Sequence, residues 1–284
     1  MIQTHPLPGW YPLMRNKDLR AQPSTRSLCG TAVRLSRGPD GSPEARSCTA
    51  NERFPAAAQE GWIFAALGAA PTRPPEANAL IPSPFRALQI DGYVRAGIGD
   101  VGENILDTTH TSVVHSGYLR RPGARRAVEA HVTSGEDWIS ATYPPGAAPS
   151  GWGARLLGAH RYTITDTFRA PAIAEVSYTE DGKPVFAARF RLTPVSSRET
   201  YVAATLAVPG QGRLAALKLL ALRVFFVRIF AEDRAILELI GENRATRTAP
   251  PLVYAPQDLL RPGIDAVLGG RRPVAPPSRI LLKV

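Results

Sequence analysis

The succession of two periodicities constrains this chain most. Residues 160 to 208 contain the alternating runs HRYTITDTFRA, IAEVSY, VFAARFRLTPV and TYVAATLAV. Side chains two apart share a face in such runs, the pattern of half-buried β-strands. From Gly212 to about Glu242 the apolar residues recur instead at three- and four-residue spacing, the period of a helix. The turn Glu180-Asp181-Gly182-Lys183 between two of the runs is a hairpin signal. An antiparallel sheet followed by one long helix is the expectation.

That helix is not expected to span a membrane. Its most apolar part, Leu214 to Ala231, carries Lys218, Arg223 and Arg228, and a spanning helix needs roughly 18 uninterrupted apolar residues. Bases five residues apart are turned by roughly 140° around a helix, whereas a membrane-surface helix gathers them on one face. A peripheral membrane role therefore ranks low.

Upstream, residues 9 to 68 read as short strands between turns: Trp10-Tyr11-Pro12-Leu13, Thr31 to Leu35, the Pro39-Asp40-Gly41 turn, and Gly61 to Leu67. The stretch 69 to 84 holds five prolines and little periodicity, which marks a domain junction. The organisation expected is α+β: a small β domain over 1–75, a larger domain over 76–262, and an extended C-terminal tail over 263–284 carrying Pro273, Pro276 and Pro277. Residues 99 to 114 can be helical.

The 34 basic residues outnumber 24 acidic ones, giving a net charge of +10. This favours acidic partners such as an acidic electron carrier. No basic run interleaved with aromatics and no zinc-finger or RNP-like pattern occurs, so nucleic acid ranks low. With two cysteines, Cys29 and Cys48, and an opening MIQTHPLPGW that lacks an apolar signal core, a disulfide framework is not expected and the cytoplasm is the simplest location.

The segment Glu103 to His115, ENILDTTHTSVVH, places Asp107 three residues before His110 and His115 five residues after it. On a regular helix Asp107 and His110 share a face, while the two histidines diverge by roughly 140°. If both bind one ion, the helix must end or deform between them. Two histidines in a threonine-rich segment are more often surface or core residues, and the spacing alone carries little weight.

A third residue adds weight. Phe226, Ile229, Phe230, Ile236, Leu237 and Ile240 form one stripe in the long helical segment, and Asp233 falls within it. A carboxylate on a buried face is costly unless it is paired, protonated or bound to metal. Its neighbours Glu232, Glu238 and Glu242 are better placed for solvent. Two imidazoles and a carboxylate would make the facial triad of ferrous oxygenases; a salt bridge from Asp233 to Arg234 or Arg228 is the alternative.

These residues resemble a known family. ENILDTTHTSVVH resembles the N-x-x-D-x-x-H-x-x-x-x-H iron motif of the Rieske non-haem iron oxygenases, and IFAEDRAILE resembles the helix that supplies their carboxylate ligand. Trp10-Tyr11-Pro12-Leu13 resembles the family's opening, and NERFPAAAQEGWIFAALG resembles the strand closing its Rieske domain. The resemblance implies that His110, His115 and Asp233 ligate one mononuclear Fe(II). It makes Asp107 the bridge by which electrons arrive and Asn104 a partner just behind the ligands. It also implies a helix-grip (START-like) catalytic domain whose curved antiparallel sheet wraps the long C-terminal helix.

The departure from the family is equally specific. A Rieske [2Fe-2S] cluster takes two cysteines and two histidines, in C-x-H and C-x-x-H motifs. Between His5 and His110 there is no histidine; Cys29 is followed by Gly30-Thr31 and Cys48 by Thr49-Ala50. The stretch from Asp40-Gly41 to Gly61-Trp62 is too short for two cluster loops, so both cysteines read as packing residues and no cluster is expected in this chain. A truncated Rieske-like β domain resembles that of N-demethylase oxygenase subunits, which take electrons from a Rieske centre on another polypeptide.

The implied activity is hydroxylation or oxidative demethylation of a hydrophobic small molecule, bound near Phe225, Phe226 and Phe230. The implied partners are a Rieske-bearing subunit or a ferredoxin and reductase, in a trimer or hetero-oligomer. A non-catalytic subunit of a heteromeric oxygenase and a helix-grip binding protein for a hydrophobic ligand are the rival readings.

Overall fold

Seven short strands open the chain: β1 (Gly9–Arg15), β2 (Ser24–Leu28), β3 (Thr31–Arg37), β4 (Pro43–Ser47), β5 (Arg53–Phe54), β6 (Ala56–Gln59) and β7 (Trp62–Leu67). They form two small sheets, ordered β1-β7-β6 and β2-β3-β4-β5. This computed structural model describes residues 6–68, 71, 73–77, 79–80, 82–116, 127–145, 162–246, 254–255, 257–276 and 280–283.

The second unit is built on β8 (Phe85–Val94), β9 (Ala127–Ser134), β10 (Trp138–Tyr143), β11 (Thr163–Arg169), β12 (Ile173–Glu180), β13 (Lys183–Ser196), β14 (Glu199–Pro209) and β15 (Ile280–Lys283). These make one sheet in the order β15-β9-β10-β11-β12-β13-β14-β8, with every neighbouring pair antiparallel. The expected hairpin joins β12 to β13. Asp181 and Gly182 there have φ of 48° and 75°, and two left-handed central residues match the twist of the flanking strands.

Among the described residues there are three α-helices, α1 (Ile98–Leu106), α2 (Arg213–Thr246) and α3 (Arg261–Leu268), and two short 3-10 turns, Asn16–Asp18 and His110–Ser112. α2 leaves β14 and crosses back over β8 and β14. It can lie close because β8 carries Gly92, where a Cβ would stand 2.7 Å from the Phe230 ring. From α2, Leu219, Leu222, Phe225 and Leu237 are buried, but Ile236 and Ile240 of the expected stripe are 36% and 39% exposed. The 34-residue α2 is about 50 Å long at 1.5 Å per residue. The 10 residues of β8 reach only about 33 Å, so the helix overhangs the sheet. Periodicity assigns the face of a helix, not the extent of its partner.

The first unit covers the other face of the sheet. Trp62 and Phe64 cluster with Val195, Tyr201 and Ala203, Trp62 Nε1–H donates to Thr205 Oγ1 at 3.0 Å, and Thr193 Oγ1–H donates to the Pro12 carbonyl at 2.6 Å. The proline-rich stretch between the units is also tied down. Arg189 Nη1–H donates to the Ala77 carbonyl, and Arg191 Nη2–H to that of Glu76, both at 2.8 Å.

The tail departs from expectation. Residues 261–268 are helical, with Pro262 in the first turn of α3, where its missing N–H has no helical partner to lose. β15 then pairs with β9. Arg261, only 6% exposed, bonds Asp100 at 2.8 Å, Glu103 at 2.5 Å and Asp265 at 2.9 Å, so α3 is pinned to α1. Proline density read as an extended strap because the ion pairs that hold this helix lie more than a hundred residues away in the chain.

Candidate metal centre

α1 ends where the chemistry begins. The Asp107 N–H still reaches the Glu103 carbonyl, but its own backbone is extended, with φ −81° and ψ 109°. Its side chain then caps the next turn. Oδ1 accepts from the Thr109 N–H at 2.7 Å and from Thr109 Oγ1–H at 2.6 Å, and Oδ2 accepts from the His110 N–H at 3.2 Å. That turn is a short 3-10 helix, His110–Ser112. The α-helix thus ends at Leu106, short of the expected 114 and before both histidines rather than between them, and their ring centroids stand 5.2 Å apart.

Asp233 meets them from the inner side of α2. Its Oδ1 is 3.4 Å from His110 Nε2 and 2.9 Å from His115 Nε2. One ligand atom from each of the three residues lies within 4.8 Å of the others. His110 Nε2 and Asp233 Oδ1 are buried and face each other at 3.4 Å without a hydrogen bond, so both atoms point at a common centre that suits a cation. The opposite nitrogens face other carboxylates: His115 Nδ1 is 3.1 Å from Glu232 Oε2, and His110 Nδ1 is 3.6 Å from Asp107 Oδ2. Glu232 lies within hydrogen-bonding reach of His115 Nδ1 and favours the tautomer that presents Nε2 to a metal, whereas Asp107 stands beyond hydrogen-bonding distance of His110 Nδ1.

Electrostatics agree with a cation site. Burial works against ionisation of Asp233, yet the His110 and His115 imidazoles hold it below the usual carboxylate range. Burial likewise opposes the charge on Asp107, and His110 and Thr109 hold it low. Burial opposes protonation of His110, but Asp107 and Asp233 raise it to about 9. The carboxylates exert a field that a divalent cation can satisfy. Arg228 does not compete for Asp233, since it bonds Glu232 at 3.1 Å, and Arg234 lies 4.0 Å from Glu238.

Asn104 lines the adjoining cavity, together with His110, His115 and Asp233. This cavity of about 150 Å³ is walled by Phe225, Phe226, Ile229 and Phe230 from α2 and by Val176, Tyr178, Phe186 and Ala188 from the sheet. The Phe186 and Phe226 rings stack at 5.5 Å. It suits an apolar small molecule.

Two buried or partly buried acids near the site are not apparent from the sequence. Glu232, expected in solvent, turns toward His115; adjacent helical residues diverge by roughly 100°, so only the tertiary position of His115 reveals its role. Asp166 is 2% exposed on β11, and its Oδ1 makes no hydrogen bond. Burial, helped by the charge of Asp107, raises its pKa well above the ordinary value. Its place between Ile164 and Phe168 in the alternation was the available signal. Of the cysteines, Cys29 packs against the core and burial lifts its thiol to about 12. Cys48 is exposed rather than packed.

A two-histidine, one-carboxylate set leaves coordination positions open for small ligands. On a helix-gripping antiparallel sheet, that set defines the class of Rieske-type non-haem iron oxygenases. The family model of the vanillate O-demethylase oxygenase C-terminal domain matches residues 94–263. The chain belongs to this family and is an oxidoreductase of the oxygenase type.

Solved structures share the fold. Dicamba monooxygenase bound to dicamba matches with a TM-score of 0.72 at 16% identity, over 92% of this chain and 95% of that one. The same enzyme bound to 3,6-dichlorosalicylic acid gives 0.77 at 17%, with the same coverage. Pseudomonas putida CBB5 NdmA with caffeine gives 0.66 at 15%, over 91% of this chain and 89% of that one. No curated protein matches by sequence. No described helix is long and apolar enough to cross a membrane.

Proposed function

We propose that His110, His115 and Asp233 bind one ferrous ion, and that the chain is the catalytic component of an oxygenase that hydroxylates or oxidatively demethylates a hydrophobic small molecule. The observation that carries this reading is the convergence of the three donor atoms within 4.8 Å at the end of an apolar cavity. Iron, when bound, supplies dioxygen activation. The chain's own residues position and exclude: Glu232 orients the His115 imidazole, Asp107 caps the turn that carries His110, the phenylalanines of α2 hold substrate and keep water out, and Asn104 lies beside the ligands.

Residues 9–67 form a truncated Rieske-like unit in this reading, followed by a helix-grip catalytic domain. That unit contains no histidine, so it cannot supply the imidazole ligands of a Rieske cluster. Electrons then come from a Rieske-bearing partner or a ferredoxin and reductase, in a trimer or hetero-oligomer, and enter through Asp107. NdmA, whose structure holds caffeine, and dicamba monooxygenase, whose structure holds dicamba, lend support to a compact, partly apolar substrate.

The test is metal analysis after anaerobic reconstitution. His110→Ala, His115→Ala and Asp233→Ala should each lose stoichiometric iron while keeping the wild-type circular dichroism spectrum. Full iron in all three variants overturns the ligand set. Wild-type iron content without turnover, supplied with reduced Rieske protein and a panel of aromatic methyl ethers and N-methyl compounds, would favour a structural subunit.

A further inference from the structure

One side of α2 walls the cavity, and the other carries large apolar side chains into solvent. Leu214, Leu217, Leu220, Val224 and Val227 are 83%, 64%, 61%, 72% and 48% exposed. The last four fall at alternating three- and four-residue spacing and therefore form one stripe. From Leu214 to Val227 the stripe is about 20 Å long. Apolar atoms are common on any protein surface, but so many branched aliphatic side chains in one continuous row mark a contact surface.

The charge around the stripe has one sign. From Arg213 to Ala231 the helix carries Arg213, Lys218, Arg223 and Arg228 and no acidic residue. Arg213, Arg223 and Arg228 are exposed and Lys218 is half-buried; Arg228 also bonds Glu232 beyond the end of this segment. Arg223 stands three residues from Leu220 and four from Val227, at the margin of the stripe. There it lines a second cavity, of about 410 Å³, with Arg15 and Lys17 of the first unit. The acid in that wall, Glu60, is bonded to Arg191 at 3.2 Å, and Arg15 is paired with Asp91.

The five-residue spacing of the bases argued against a membrane-surface helix only while α2 was considered alone. With its inner side packed on β8 and β14, the outer surface is the apolar stripe, and Arg223 with Lys17 forms its cationic edge.

We infer that this face of α2 docks on an anionic lipid bilayer, with the stripe dipping into the headgroup boundary and Lys17 and Arg223 meeting lipid phosphates. A second copy packed stripe against stripe fits less well; a head-to-tail contact with another part of the chain would show as a change in oligomeric mass. Two such stripes laid together would oppose cations, since residues 213–231 offer no acid to meet them. An anionic bilayer satisfies both the apolar row and its charged margin. The inference does not depend on which metal the site holds. It gives a hydrophobic substrate a source beside the helix whose other side lines the cavity.

The test is vesicle co-sedimentation of the full chain on phosphatidylcholine alone and on an equal mixture with phosphatidylglycerol. Binding to the mixed vesicles should exceed binding to phosphatidylcholine by at least about tenfold at low salt. Arg223→Glu should weaken it by roughly tenfold, whereas Arg46→Glu, on β4, should change it far less. The double variant Leu217→Glu/Val224→Glu should abolish it, with unchanged thermal melting because both side chains are in solvent.

Absence of binding to anionic vesicles overturns the proposal. So does equal binding by the double variant, which would mean that the +10 chain merely adsorbs by net charge. A protein that ignores vesicles but drops in oligomeric mass when Leu217 and Val224 are replaced would make the stripe a protein interface instead.

Discussion

Glu232 is the most informative single perturbation, because nothing but the tertiary structure assigns it a role. Its Oε2 lies 3.1 Å from His115 Nδ1, and His115 is 1% exposed, so water offers little substitute. Residues that orient a ligating histidine contribute about 10- to 100-fold to metal affinity, or roughly 1.4 to 2.8 kcal/mol at 1.4 kcal/mol per decade. Glu232→Gln keeps an acceptor oxygen of similar reach and removes the charge, which places it near the lower figure. Glu232→Ala removes the acceptor altogether, which places it near the upper one.

Arg228 supplies the control. It bonds the same carboxylate at 3.1 Å but is 68% exposed, and exposed pairs contribute at most about 1 kcal/mol. Arg228→Ala should therefore shift metal affinity by less than about fivefold. The assay is anaerobic calorimetric titration of each purified variant with Fe(II), and with Co(II) as an air-stable probe. Unchanged affinity in both Glu232 variants, or an equal loss in Arg228→Ala, would falsify the assignment of Glu232 as the group that orients His115.

Asp107→Asn should retain stoichiometric iron yet lose most turnover with a reduced Rieske protein, because the amide can still cap the 3-10 turn through its oxygen while the anionic bridge to His110 is gone; wild-type turnover would reduce Asp107 to a cap. Asp166 gives a pH signature measurable on the metal-free chain. Its folded pKa is raised, so it stays protonated in the fold while the unfolded chain ionises it above about pH 4, and stability is lost as pH rises from there toward the folded pKa. The stability difference between Asp166→Asn and wild type in urea melts should therefore grow in favour of the variant with pH, by at most about 1.4 kcal/mol per unit; a difference independent of pH between about 5 and 8 refutes the buried neutral acid.

How much of the fold and site was legible in the sequence depends on the range of each interaction. The hairpin at Asp181-Gly182 and the strands around it rest on local alternation and turn chemistry, and they stand where those patterns put them. The geometry of the candidate site segment was legible because it is nearly local: Asp107 ends α1 and caps the next turn within three residues. Asp233 was legible as a charge out of place on an apolar stripe.

The illegible parts rest on contacts between distant residues. Glu232 and His115 are 117 positions apart, and the ion pairs of Arg261 with Asp100 and Glu103 span 161 and 158. Neither periodicity nor composition reports on such pairs. The outward row of α2 was hidden for a related reason: a helix apolar on both sides shows a weak pattern, and its two faces separate only once the sheet covers one of them.

The first unit also acquires a physical role that needs no cluster. In β14 the odd residues Tyr201, Ala203 and Thr205 face the first unit, while the alternate residues Val202, Ala204 and Leu206 line the cavity. A strand with both faces covered is held more firmly than one facing water, so the apolar wall of the cavity is fixed from behind by Trp62, Phe64 and the Trp62–Thr205 hydrogen bond. Arg15 of β1 pairs with Asp91 of β8, and the Cys29 N–H donates to the Pro194 carbonyl at 2.7 Å. Both contacts clamp the strands that lie beneath α2. Without the strands of the first unit Val195, Tyr201 and Ala203 would be exposed, and the strands carrying Ile90, Val202 and Leu206 would lose their support. The β unit persists as the outer layer of a three-layer arrangement whose innermost gap is the cavity beside His110, His115 and Asp233.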